Sequence, residues 1–435
     1  MDTAFSKNNF FLDEIINFYK RQIVENYFSI PWLLQLQKDG LKKFMKYKFF
    51  ANLNNNWKFS LIESFLKYKF SGLVRNDCNM QNMFISDFPL FNLKVNVGNG
   101  YFLNNQSDID NYLPDNVLFM PLFEAIKKYP QKIQPYLNKI FKCDNSFHAL
   151  NIGLLNSGFL LYIPSFVQLK EPISIFYTQD KDNKIVCSRN IIVLEEGSEL
   201  SLLECYYGDN KCCYTTNSVT EIYMNESSRF FYYKYQQDSE RSFHINHFFI
   251  KQKKESVFEH HSLNFGGNLV RNSINVYLNE EKSKCLLNGI YIIKKKQNIN
   301  NFTIVHHNDS QCESEQNYRS VLFDSSKAVF DDKVVMSKYL RFNVAKQYNR
   351  NLLLSDNVEL HTSPQLNILT NDIFCSHGAT IGKIDDDSLF YFLTRGIDDV
   401  MARNYLIQAF IKENFKFISN KYILDWFYKL IDIYR

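Results

Sequence analysis

The apolar positions along this chain change their period twice. Up to about residue 85 they recur at helical spacing. Phe11, Leu12, Ile15, Ile16 and Tyr19 share one face, and a second helix is predicted from Pro31 to an end at Gly40. Val95 and Val97, then Asn99-Gly100, then Tyr101 and Leu103 predict a hairpin, because Asn-Gly accepts the positive φ of a type I′ turn. Residues 116–141 read as one or two helices broken near Pro130.

From about 148 to 375 helical periodicity fades. Short runs rich in Val, Ile, Tyr and Phe alternate with polar turns: Ile173–Tyr177, Asn190–Leu194, Leu200–Cys205, Val219–Tyr223, Phe230–Tyr235, Ser273–Leu278 and Gly289–Ile293. A long series of this kind with few prolines predicts an all-β sandwich, barrel or solenoid. No short repeat stands out, so periodicity does not choose among the three. After residue 384 helices return. Asp385 is placed to cap one that Arg395-Gly396 closes, and Asp398 to cap a second running through Ile411. Ile423, Phe427, Leu430, Ile431 and Tyr434 line a third. The resulting division is 1–147 mostly helical with a hairpin near 95–103, 148–383 β core, and 384–435 helical.

Composition narrows the function classes. The 435 residues carry 50 basic and 46 acidic side chains, too even a balance to predict nucleic-acid binding. The Lys294-Lys295-Lys296 run reads as a solvated turn. No run approaches the ~18 apolar residues of a membrane span, and Met1–Asn9 lacks a secretory pattern. The nine scattered cysteines include no C-x-x-C pair, which fits reduced thiols in a cytoplasmic protein.

Cys375 and His377 are the sharpest candidates for chemistry. On a strand, residues two apart point to one face, so a thiol and an imidazole project together, both competent iron ligands. A buried cysteine beside a hydrogen-bonded histidine would use the same spacing. Gly378–Lys383 has one residue too few for a P-loop, and Ile384 stands where a magnesium-binding hydroxyl is needed. The adjacent pairs His260-His261, His306-His307 and Cys212-Cys213 face opposite ways on a regular strand, so none chelates one metal, and surface or mixed burial is expected.

A family resemblance rests on a longer set of residues. The run Asn351–Asp356, then Pro364–Ile368, then Cys375-Ser376-His377-Gly378-Ala379-Thr380-Ile381-Gly382, Leu389–Phe392 and Arg395-Gly396-Ile397 resembles the C-terminal signature of the SufB/SufD family of iron–sulfur cluster assembly scaffolds, in its SufD form. Phe265–Arg271, Leu150-Asn151, Pro172-Ile173 and Trp57-Lys58-Phe59 extend it upstream. The SufB form has a glutamate-rich histidine motif where this chain has Cys375–Gly378, and is usually longer. Phe330-Asp331-Asp332-Lys333 lacks the glycine expected of a turn, Asn56 replaces an acidic residue and His361 a small or acidic one, so no function is carried to these positions.

The resemblance implies a right-handed parallel β-helix core flanked by helical parts. It also implies a non-catalytic scaffold that pairs with SufB, docks the SufC ATPase and leaves ATP hydrolysis to SufC. His377, with Cys375, is the implied nascent-cluster site at the SufB interface, and Leu389, Phe390, Phe392, Arg395 and Gly396 form the implied SufC-docking region. No stably bound cofactor is expected; a transient iron–sulfur cluster shared with SufB is. The rival expectations are a cluster-carrying scaffold of the SufB form and a carbohydrate-active β-helix enzyme, the latter lacking clustered carboxylates.

Overall fold

The computed structural model describes residues 30–51, 65, 88–89, 91–140 and 143–432. The expected helix over Phe11–Tyr19, the Asn56–Phe59 element, Cys78 and Tyr434 lie outside the described residues. The first described helix, α1 (Pro31–Ala51), runs straight through Gly40 instead of ending there. Gly40 serves packing, not termination. A Cβ on it would lie 2.7 Å from Ile152 Cγ2 and 2.8 Å from the Gly153 nitrogen, so α1 crosses helix Ser146–Gly153 backbone to backbone.

The hairpin forms as expected. β1 (Lys94–Gly98) pairs antiparallel with β2 (Tyr101–Phe102), and both Asn99 and Gly100 have positive φ. Helix α2 (Gln106–Asp110) follows. Residues 116–141 differ from expectation: a strand, β3 (Leu118–Pro121), precedes helices α3 (Leu122–Lys128) and α4 (Pro130–Ile133). Tertiary pairing with β4 (Phe159–Ile163) recruits this apolar run into a sheet, overriding local helix propensity. Helix α5 is Ser146–Gly153, capped by the Asn145 side chain, which accepts from the His148 N–H.

Every later strand but the last two pairs in parallel with the strand two further along the chain. β5 (Ile173–Gln179), β7 (Glu199–Gly208), β9 (Arg229–Gln237), β11 (Val257–Asn264), β13 (Lys284–Ile293), β15 (Glu313–Leu322), β17 (Arg341–Leu353) and β19 (Asp372–Gly382) continue the sheet of β1 and β2. β6 (Lys184–Leu194), β8 (Tyr214–Met224), β10 (Phe243–Gln252), β12 (Leu269–Leu278), β14 (Asn298–His307), β16 (Lys327–Met336) and β18 (Glu359–Ile368) continue that of β3 and β4. The chain thus winds a parallel β-solenoid of about eight turns, resolving the choice among sandwich, barrel and solenoid. Both sheets begin before residue 148, since β1 and β3 belong to them.

A repeat does exist. Ser198, Ser228, Ser256 and Ser283 each donate Oγ–H to the carbonyl three residues back, at Glu195, Asn225, Lys253 and Glu280. Gly197, Ser227, Glu255 and Lys282 before them all have positive φ, as does Gln311 before Cys312, whose Sγ continues the stack 3.3 Å from Ser283 Oγ. One strained residue and one small polar residue per coil is too sparse a signal for a sequence repeat.

Both outer faces are covered over much of their length, which is why the strands read as near-continuous apolar runs. Helices α3 and α4 pack Leu122, Ile126 and Ile133 against Leu160, Ile191 and Val193. On the other sheet lie α7 (Asp399–Lys412), a 3₁₀ turn (Glu413–Phe417) and α8 (Lys421–Asp432), with α6 (Asp386–Thr394) packed against α7. Asp385 and Asp398 cap α6 and α7 as expected, accepting from the N–H groups of Ser388 and Met401. Ile411, Phe415, Trp426 and Phe427 join one core with Leu203, Tyr233, Ile290 and Val321. Asn414 pins this unit: its amide donates to Asn288 Oδ1 (2.6 Å), Asn317 O and Gly289 O.

Two further expectations are corrected. His260 and His261 are both buried, His260 stacked on Tyr232 inside the solenoid and His261 on Tyr233 beneath the C-terminal helices. His307 is buried and His306 half-buried on Tyr277, the mixed burial expected. Phe330–Lys333 is no turn but the middle of β16, where an inward Phe330 and Asp332 need no glycine.

Candidate functional site

The solenoid ends at an open coil. Among the described strands, β18 and β19 pair on one side only, and their residues are exposed or half-buried where the equivalent positions of β16 and β17 are closed. Cys375 and His377 both lie on β19, beside Ala345 and Gln347 of β17. Ala345 and Gln347 are fully buried in the lumen between the sheets, so Cys375 and His377 share the lumen-facing side of the last strand. The expected common face is therefore real, and it looks along the lumen rather than out from a sheet.

Their surroundings differ. Cys375 packs with Val334, Met336, Leu340 and Ala345, its Sγ 3.8 Å from Met336 Sδ. Burial pushes its thiol pKa up, so alone it is a weak thiolate. His377 is exposed at the mouth. Among the described residues no three His, Cys, Asp or Glu side chains converge on one point.

Directly beneath the mouth lies a polar belt. Thr303 donates to Gln316 across the lumen (2.6 Å). One coil further, β16 places Asp332 next to Thr303, and β17 places Gln347 next to Gln316. One coil further again come Pro364 and His377. Asp332 is 1% exposed and Gln347 0%, yet Asp332 Oδ1 and both amide atoms of Gln347 have no hydrogen-bond partner. Burial, reinforced by Asp331 against a backbone hydrogen bond, pushes the Asp332 pKa up to about 7. Sequence reasoning set Asp332 aside as part of an irregular turn and passed over Gln347. The available signal was polar side chains alternating with apolar ones inside strands, at Asp332 before Val334 and at Gln347 after Ala345.

The second candidate region is the α6–α7 hairpin. Leu389 is buried, Phe392 half-buried, and Phe390 66% exposed. Arg395 lies over the Tyr391 ring, and Gly396 takes positive φ at the helix end. Exposed Tyr391, Leu393, Val400, Met401 and Tyr405 extend the apolar surface around Phe390. Gly378–Gly382 is strand, with the turn confined to 383–385, so the P-loop-like spacing cradles no phosphate. Cys212, half-exposed, and Cys213, buried, lie just before β8 rather than on a strand, so the strand argument does not apply to them. No described helix is long and apolar enough to cross a membrane.

The described residues thus form a parallel β-solenoid with helical units packed against both sheets and an open terminal coil. The comparisons place it more narrowly. A model of the SufBD core domain of the SUF iron–sulfur cluster assembly system matches residues 176–410, and one of the SufBD N-terminal region matches residues 13–175. The chain is 28% identical over 325 residues to an iron–sulfur cluster assembly SufBD family protein of Synechocystis, covering 72% of each. It is 29% identical over 225 residues to the iron–sulfur cluster assembly protein SufD of Escherichia coli, 52% of this chain and 53% of that one. With the SufD of Bacillus subtilis it shares 23% over 309 residues, 68% of each. The chain belongs to the SufBD family of iron–sulfur cluster assembly proteins.

Proposed function

We propose that this chain is the SufD-type member of a SufB–SufC–SufD assembly, a non-enzymatic scaffold that joins a SufB-type subunit at its open coil and a SufC-type ATPase at its α6–α7 hairpin. The carrying observation is the open coil: single-sided edge strands, exposed Leu369, Phe374 and Ile381, and Cys375 with His377 at the lumen mouth. An exposed strand edge is a template for another chain. Cys375–Gly378 in place of a glutamate-rich histidine motif favours the SufD form. The cluster is cargo here. His377 supplies one nitrogen and Cys375 one sulfur, and clusters need four ligands, so the partner supplies the rest.

Replacing His377 with alanine leaves assembly with the SufB- and SufC-type partners intact while iron and acid-labile sulfide per purified complex fall severalfold. Cys375→Ser, which keeps size but loses thiolate softness, is the paired variant. An intact His377→Ala complex with parental iron sinks the cluster role. The SufB alternative is separated by reconstitution of the lone chain: a stable cluster without a partner favours it.

Docking is tested on the hairpin surface, because deleting residues 385–435 would strip Trp426 and Phe427 from the core. Phe390→Asp with Tyr405→Asp abolishes co-elution of the SufC-type subunit without changing the melting temperature by more than a few degrees. Undiminished co-elution refutes the docking face.

A further inference from the structure

The polar belt under His377 is more than a tolerated irregularity. Gln347 stands between Gln316 and His377 on one wall of the lumen, and Asp332 occupies the facing wall in the tier where Thr303 and Gln316 touch one coil earlier. Val334, Met336 and Cys375 form an apolar layer on one side of it, while Phe330 and buried Asn349, which accepts from Thr362, lie on the other. Inside such walls a carboxyl and a carboxamide with unpartnered atoms are costly unless something else satisfies them. No lysine or arginine holds an inward position on β14–β19, so no protein cation neutralises Asp332. It lies one coil in from the open mouth, with Pro364 next to Asp332 and His377 next to Gln347 in register.

We propose that Asp332 and Gln347 form an inner seat for ferrous iron, reached past His377, from which the cluster site at the mouth is supplied. The donors are a carboxylate oxygen, an amide oxygen and an imidazole nitrogen above them. That oxygen-rich, borderline set suits a divalent first-row ion that is held loosely, and it lacks the thiolates that would retain a finished cluster. Cys375, on the adjoining apolar layer of the same strand, lies one step away at Ala345 rather than in the seat. The seat rests on the functional reading above and extends it from cluster to iron entry.

The test is anaerobic titration of the full-length chain with Fe(II), and with Mn(II) as a redox-inert probe followed by its electron paramagnetic resonance signal. The parent binds one equivalent. Asp332→Asn, which keeps shape but loses charge, binds at least about tenfold more weakly, as does Gln347→Leu. Asp356→Asn, an exposed acid outside the lumen, binds as the parent does. A melting curve accompanies each variant. The seat is overturned if the parent binds no Fe(II), or if folded Asp332→Asn binds it as tightly as the parent. Should the His377→Ala complex lose iron and sulfide while the Asp332→Asn complex loads normally, the seat fails and the scaffold role stands.

Discussion

Asp332→Asn raises the melting temperature at pH 8, and the gain vanishes as the pH falls towards 4. The reasoning is linkage. Folding lifts the Asp332 pKa to about 7, whereas the unfolded chain ionises it near the ordinary 3.8. Between these values the native state holds a proton that the unfolded state has released. Native stability therefore declines as the pH rises through this window, and above about 7 the full penalty remains. Asparagine carries no charge at any pH and escapes it. A shift of about three units corresponds to roughly 4 kcal/mol, and relaxation around the ionised acid reduces the observed figure to the order of 2–3 kcal/mol. Melting curves of parent and variant at pH 4.5, 6, 7 and 8 check this. A pH-independent difference between the two refutes the assignment of the buried charge. A substitution that strengthens the fold while weakening iron binding is the signature of a residue held for function.

Gly158→Ala costs more than about 4 kcal/mol, the range reserved for gross steric conflict. Gly158 has φ +126°, outside the reach of L side chains, and a Cβ there would fall 1.8 Å from the Arg189 carbonyl oxygen. That neighbour is backbone within β6 and cannot rotate away. The Gly158 carbonyl also accepts from Leu122 N–H, and Arg189 N–H donates to Ser157 O, so both chains are tied at the crossing. Beyond it Arg189 pairs with buried Glu221, whose carboxylate accepts from the N–H groups of Asn138 and Lys139. Displacing β6 would strain this tie between solenoid and N-terminal helices. Denaturant unfolding measures the loss, with Gly382→Ala, whose Cβ meets nothing within 4 Å, as the neutral control. A Gly158→Ala protein that unfolds within 1 kcal/mol of the parent would contradict this geometry.

What the sequence determined alone was everything carried by a few adjacent residues. Asn99-Gly100 dictates its turn because two consecutive positive φ values exclude most other pairs, and Asp385 and Asp398 dictate helix starts by capping their own N–H groups. The β texture of 148–375, the common face of Cys375 and His377 and the family signature are equally local. Tertiary structure decided the rest. Gly40 reads as a helix stop until Gly153, over a hundred residues away, packs onto it and makes it a contact. Residues 118–121 become strand only because β4 is there to pair with them. The histidines at 260 and 261 are both buried because helices from the far end of the chain cover one of the two faces. Asp332 and Gln347 come together beneath His377 through the register of strands about thirty residues apart, and a solenoid sets that register by stacking its coils, a long-range packing energy that no local window of sequence contains.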